Sequence, residues 1–246
     1  MMIKPNLPDG KVKTVVVSVD ITPKIQKTLA DFGIECITLN GKMNCDPAVK
    51  NHPDLYLAHL SCEDLLYFGN ECSMNGSLSC NTQNVNVLLN RMDKLSYKEE
   101  VMFNCVSIGG DIICNSKLIH PEILRCAQAQ NKRIISVNQG YTKCNVCVVD
   151  EKSVITEDKG ICHVLRNNGY DVLLLQVGFV ALRGHEYGFI GGASGKISKG
   201  ELAFFGCIEK HPEFEKISDF LTARGIAAIS LSDDNLTDFG SLIPIM

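Results

Sequence analysis

The 246-residue chain is 45% hydrophobic and 21% charged, a balance that allows a full globular core and excludes disordered and collagen-like classes. A formal charge of -4 without long basic runs gives no electrostatic footprint for nucleic acid, so no direct nucleic-acid partner is expected. The apolar run TVVVSV is too short for a membrane span or the apolar part of a secretory leader, and a cytoplasmic protein without membrane contact is expected.

In chain order, VVVSVD predicts a strand, ITPKIQKTLADFG a helix and IECITLN a strand. HPDLYLAHL and EDLLYF read as a hairpin. The stretch NVNVLLNRMDKL carries Val85, Leu88, Leu89 and Met92 at helical spacing, and VMFNCVSI follows as a strand. DIICNS, HPEILRCAQAQNK and RIISVN predict strand, helix and strand. The next unit is fuller. Two apolar runs in KCNVCVVD and SVIT flank a short turn; a helix with Ile161, Val164 and Leu165 on one face stops at Gly169, and DVLLLQV makes a third strand. The pattern returns as EYGFIGGASGKI, ELAFFG, a helix with Phe214, Ile217 and Leu221 at helical spacing, and IAAISLS. Both helices end at a glycine just before a strand, as a left-handed cap requires.

The recurring unit is strand, strand, helix, strand. The first unit is one strand short, and the last segment, FGSLIPI, is expected to supply it. Five units of about 49 residues then close in a ring, a period typical of closed or stacked arrays. A ring leaves no free sheet edge, which gives the two ends of the chain a reason to pair. It also gathers strand ends, and their polar residues, around one centre. The expected organisation is one domain over residues 1–246.

The twelve cysteines are scattered inside apolar runs, as suits small buried thiols kept reduced. The single CxxC, Cys144 to Cys147, has no second pair and lies in a strand-like run where residues three apart face opposite sides. No metal or cofactor is expected. GFIGGASGKIS resembles a phosphate loop only superficially: Ile190 stands where a Walker loop needs its first glycine, and Ile197 follows Lys196 where a hydroxyl is needed. Its glycines read instead as sites of close backbone approach, with Lys196 solvated.

Five such units closed by a C-terminal strand resemble the pentein superfamily, the β/α-propeller fold of arginine deiminases, dimethylarginine hydrolases and amidinotransferases. The non-enzymatic translation initiation factor six shares that fold. The resemblance spans nearly the whole chain, is carried mostly by KCNVCVVD through GELAFFG, and looks closest to bacterial members without an assigned activity. It implies an acid after the second unit's first strand to hold a guanidinium, a histidine in the fifth unit to move a proton, and a cysteine nucleophile in the closing strand.

Pro53 and Asp54 match the first motif, but His59 and Leu60 stand where dimethylarginine hydrolases carry their acid pair. His185 in LRGHEYGFIGG matches the histidine. The closing strand has no cysteine: Gly240 and Ser241 occupy its place, and a serine lacks the thiolate that makes the family nucleophile competent. Standard deiminase chemistry is therefore doubtful. Cys144, beside Lys143, is the candidate for a displaced nucleophile, with a plain structural thiol, or a redox or ligand contact, as the other readings. His120 and His211 each precede Pro-Glu and read as helix starts. Asp54 in HPD is either a pocket acid or a turn cap, and His163, within a helix, reads as a surface or packing residue.

The resulting site is His185 and Cys144 as catalytic candidates, with Asp54, His59, Asn145, Asp238 and Ser241 as ligand-binding ones. The leading expectation is a polar central pocket for a small cation of guanidino or amidino type. The alternatives are a hydrolase or deiminase of guanidino compounds using Cys144, and a non-catalytic protein that binds a macromolecule as the initiation factor does. A protein partner or self-association is left open.

Overall fold

The computed structural model describes residues 3–68, 72–75, 85–88 and 97–246. The first strand, β1 (Thr14–Ser18), is buried at every position, and α1 (Pro23–Asp31) returns the chain to β2 (Glu35–Gly41), which lies parallel to it. Thr22 starts α1 by accepting a hydrogen bond from the Ile25 amide at 3.3 Å, with Pro23 in the first turn, as helix starts favour.

Four further groups of strands repeat one pattern, an antiparallel pair followed by a parallel one. Strands β3 (Leu57–His59) and β4 (Leu65–Phe68) form the expected hairpin. Beyond β5 (Cys72–Asn75), which lies antiparallel to β2, strand β6 (Val85–Leu88) runs parallel to β4. The helix expected at NVNVLLNRMDKL is thus replaced by a strand over 85–88, and the rest of that stretch lies outside the described residues. A single helical turn, α2 (Tyr97–Glu100), precedes β7 (Val106–Ile108), which pairs with β8 (Asp111–Cys114); α3 (Pro121–Ala129) leads to β9 (Arg133–Ser136).

The best-matched units follow. A turn of helix, α4 (Thr142–Asn145), precedes β10 (Cys147–Val148), β11 (Ser153–Thr156), α5 (Lys159–Asn167) and β12 (Asp171–Leu174). Then come β13 (Ser194–Ser198), β14 (Glu201–Phe204), α6 (Phe214–Thr222) and β15 (Ala227–Ser230). On α5, Ile161, Cys162 and Leu165 are buried, and on α6 Ile217 and Leu221 are. Each such side chain contributes about 1.5–3 kcal/mol by leaving water. Gly169 and Gly225, at φ +82° and +65°, turn the chain from these helices into β12 and β15.

The tail segment β16 (Ile243–Pro244) lies antiparallel to β1, with Val15 opposite Pro244 and Val16 opposite Ile243. Strands β16, β1 and β2 thereby reproduce the antiparallel-then-parallel order of the other groups, with β5 added at the outer edge of β2. The described residues form five separate sheets in this mixed α/β fold, none closed on itself.

Three strand readings, the solvated Lys196 and the helix start at His211 need correction. KCNVCVVD is a strand only from Cys147; Lys143 to Asn145 belong to α4. EYGFIGGASGKI becomes a strand only at Ser194, and FGSLIPI only at Ile243. Lys196 is buried, its Nζ donating to the carbonyls of Val149 (3.1 Å) and Lys199 (2.7 Å), because the bulged start of the β13–β14 hairpin folds the ammonium over backbone acceptors. Finally, His120 does start α3, accepting from the Glu122 amide, whereas α6 begins only at Phe214, with His211 capping a preceding turn through the Glu213 amide. No helix among the described residues is long and apolar enough to cross a membrane.

Candidate functional site

Four segments distant in sequence meet at one cluster. A 3-10 turn over Pro53–Leu55 carries Asp54, with His52 as its N-cap. The α4 turn brings Lys143 and Cys144. It stands because Asn104, on another loop, accepts from the amides of Lys143 (2.6 Å) and Cys144 (3.4 Å), taking donors that a helix start leaves unpaired. The third segment is the glycine-rich stretch before β13. The fourth is the turn before β16, where Gly240 and Ser241 both take positive φ, +77° and +72°. At Gly240 a side chain has no room, since a Cβ there would lie 2.2 Å from the Cβ of His52.

Asp54 Oδ2 is the hub. It accepts from Cys144 Sγ at 3.1 Å and from Ser241 Oγ at 2.8 Å. Lys143 Nζ donates to the same serine oxygen at 3.0 Å, while Asn104 Nδ2 reaches Cys144 Sγ at 3.4 Å. Asp238 accepts amides from both sides, Phe189 on Oδ2 (3.0 Å) and Gly240 on Oδ1 (2.9 Å). His52 Nδ1 stands 3.7 Å from Asp238 Oδ1, beyond hydrogen-bond length. Two buried atoms of the cluster, His52 Nδ1 and Asp54 Oδ1, have no hydrogen-bond partner.

The charges here are mostly acidic. Burial pushes Asp238 up to about 7 despite its two amide donors. Glu157, which accepts the Ile190 amide at 2.8 Å, is likewise pushed up to about 7, chiefly by burial. Asp54 is raised by the same cause, and Cys144 lies well above an ordinary thiol through burial and then the neighbouring acids Asp54 and Asp238. His52 is lowered by burial. An ionised acid here is expensive unless a positive charge accompanies it.

A cavity of about 140 Å³ opens onto this cluster, lined by His52, Cys144 and Asp238 at its inner end and by Tyr141, Tyr187 and Phe189 along its walls. Asp46 and His185 stand at its rim, both partly exposed, with His185 Nε2 2.8 Å from Asp46 Oδ2. Asp46 is lowered, first by the Ala48 amide that its carboxylate accepts. Larger cavities exist elsewhere: one of about 380 Å³ is lined by Lys4, Lys196 and Arg224 among others. Each of those cations already has a carbonyl or carboxylate partner, so the smaller cavity is the better candidate.

Of the residues expected from sequence, Cys144, Asp238 and His185 line this cavity, while Asp54 and Ser241 sit directly behind Cys144. Asn145 does not reach it: its side chain turns back to the Tyr141 carbonyl at 2.9 Å. His59 is buried in β3, next to the backbone of Pro244 and Ser61, and does not line the cavity; burial lowers it to about 4. Sequence reasoning missed Asn104, Asp46, Glu157 and the aromatic walls. His163 is exposed on α5, the surface alternative of its two readings.

The sequence matches, over residues 16–243, the profile of a family of unknown function (DUF6873). The chain belongs to this family. No curated protein matches it by sequence. Among solved structures it is similar to the inosamine-phosphate amidinotransferase StrB1 of Streptomyces griseus, at 7% identity and a TM-score of 0.59, covering 99% of this chain and 96% of that one. It is also similar to SxtG, an amidinotransferase of the saxitoxin pathway from Microseira wollei, at 9% identity and a TM-score of 0.52, covering 94% and 91%. A third is the agmatine deiminase of C. jejuni, at 10% identity and a TM-score of 0.51, covering 95% and 91%. All three are penteins, and this family member shares their fold.

Proposed function

We propose that the chain is one pentein-type domain whose five strand groups stand as a propeller, closed by β16 on β1, and that its central cavity binds a small cation of guanidino or amidino type. The carrying observation is a cavity that ends on a buried acid, Asp238, has a second acid, Asp46, at its rim and is walled by aromatic rings. Asp238, Asp46 and Cys144 line it together with the aromatic residues Tyr141, Tyr187 and Phe189, a setting that suits a flat cation. About 140 Å³ admits a guanidinium head and a short stem. A bound cation stabilises the ionised form of Asp238, which burial otherwise disfavours.

The position of Cys144 favours a second step on the same site. Its sulfur lines the cavity and donates to Asp54 Oδ2 at 3.1 Å. Attack on an amidino carbon would form a C–S bond as the thiol proton passes to Asp54, and that proton is then available to a departing amine. Asp54 would thus serve as the base for Cys144. Ser241, where the closing-strand cysteine of guanidino-modifying penteins would fall, has no access to the cavity and holds Asp54 in place.

The test is a thermal-shift series on chelator-treated protein with guanidinium, agmatine, arginine and methylated arginines. A ligand held only by the folded state at 100 times its Kd adds about 2.7 kcal/mol, so a clear rise with at least one of them is expected, lost in Asp238→Asn. No rise with any of these cations refutes the reading. In parallel, a small thiol reagent should modify exposed Cys62 at the same rate with or without the effective cation, and Cys144 more slowly with it. Equal slowing of both cysteines counts against Cys144.

A further inference from the structure

We infer that His52, Asp54 and Cys144 bind a divalent cation of the zinc class at the inner end of the cavity. Their donor atoms are an imidazole nitrogen, a carboxylate oxygen and a sulfur, all within 4.8 Å of one another, and all three residues are buried. Zinc holds nitrogen and oxygen at about 2.0–2.2 Å and sulfur at about 2.3 Å, so two donors on one tetrahedral ion stand roughly 3.3–3.7 Å apart. The 3.1 Å between Cys144 Sγ and Asp54 Oδ2 is close to that spacing. So is the 3.7 Å between His52 Nδ1 and Asp238 Oδ1, which makes Asp238 a candidate fourth donor.

A second observation points to a ligand independently of that clustering. His52 Nδ1 and Asp54 Oδ1 are buried without a hydrogen-bond partner. An unpaired buried polar atom costs about 1–3 kcal/mol, and a cation between them accepts both lone pairs at once. The donor set selects the metal. Calcium and magnesium take oxygen, whereas one sulfur, one nitrogen and one oxygen in a compact group suit zinc and its neighbours in the first transition row.

The surroundings fit a deprotonated, metal-bound trio. Asn104 Nδ2 donates to the sulfur and Ser241 Oγ to Asp54 Oδ2, contacts that survive loss of the thiol and carboxyl protons. The Cys144 proton, released to solvent, is replaced by the metal–sulfur bond. His52 and Cys144 also face the cavity, so an ion held by the trio alone keeps its fourth position open to what enters it, the arrangement of reactive zinc, whereas Asp238 as fourth donor closes the site. The inference does not rest on guanidino binding, which shares Asp238 and Cys144 with the ion but is measured without it.

Reduced, chelator-stripped full-length protein titrated anaerobically with Co2+ should develop a cobalt–thiolate charge-transfer band saturating at one ion per chain, bleached by Zn2+. Cys144→Ser and His52→Ala should lose the band; Cys62→Ser, at an exposed thiol, should keep it. Absence of the band in the unaltered protein, or its survival in a folded Cys144→Ser variant, overturns the inference. Should that variant fail to fold, peptide-resolved labelling of the unaltered protein with N-ethylmaleimide decides. Zn2+ protecting Cys144 and not Cys62 supports the site, and labelling of Cys144 unchanged by Zn2+ overturns it. The guanidinium thermal shift is measured in chelator, so either idea can fail while the other stands.

Discussion

Alanine at Gly191 is expected to cost about 3 kcal/mol of stability, the upper part of the usual range for overpacking a tight site. Its Cβ would meet the carbonyl oxygens of Lys143 and Cys144 at 2.5 and 2.6 Å and the carbonyl carbon of Val146 at 2.7 Å. All three are backbone atoms, so no side chain can swing aside. The segment that must yield is the α4 turn, and with it Cys144. Gly200→Ala is the matched control, because its nearest neighbour is at 3.6 Å, ordinary contact distance, and a change within about 0.5 kcal/mol is expected there. Urea unfolding midpoints give both values. Gly191→Ala should also speed the reaction of Cys144 with a small alkylating reagent, since displacement of α4 opens the cover over the sulfur. Equal midpoints for the two variants would show that the glycine-rich stretch does not clamp the site.

That crowding was readable in GFIGGASGK. A Cβ at Gly188, Gly192 or Gly195 would come within 2.6, 1.9 and 2.2 Å of its nearest neighbour. The helix-and-strand alternation was also legible wherever one period dominated, as in α5 and α6. It failed where two periods fit the same residues. Val85 and Val87 alternate as a strand requires, yet Val85, Leu88, Leu89 and Met92 also fit a helix. Parallel pairing with β4, Leu65 opposite Val85, decides for the strand over 85–88.

The site was legible as a set of residues and not as a geometry. Asp54, Cys144, Asp238 and Ser241 do converge. Reading KCNVCVVD as a strand placed Lys143 and Cys144 on opposite faces. In the folded chain both side chains approach the Asp54–Ser241 pair, because a helical turn replaces the strand. What imposes that turn is the Asn104 side chain, 39 residues earlier than Lys143, and no local pattern announces such a partner. His59 failed for a simpler reason. It follows Asp54 by five positions but belongs to a separate strand, whose pairing with β4 carries it under the chain's tail.

Cation binding should strengthen by up to about tenfold per pH unit below pH 7 and level off above it. Asp238 lines the cavity and is pushed up to about 7 by burial, so in the free protein it keeps its proton through the acidic range. A guanidinium favours the ionised form and must expel that proton below pH 7; each proton released gives one factor of ten per unit. The free protein's stability runs the other way for this group. Its folded value lies above the unfolded 3.8, so between 3.8 and about 7 only the unfolded chain has lost the proton. The contribution of Asp238 to stability therefore falls as pH rises through that window and is flat above it. Glu157, also raised to about 7, adds in the same sense. His52, His59, His120 and His211 are lowered by burial and act oppositely up to the unfolded value of 6.5. The cation-induced rise in Tm cancels all groups that the ligand leaves alone, so it isolates Asp238. It should grow from pH 5 to pH 7 and stay constant from pH 7 to pH 8, and calorimetry at pH 6 in buffers of different ionisation enthalpy should find close to one proton released per cation. A rise in Tm that is the same at pH 5 and pH 8, with no proton released, would mean that the cation meets no buried carboxyl group.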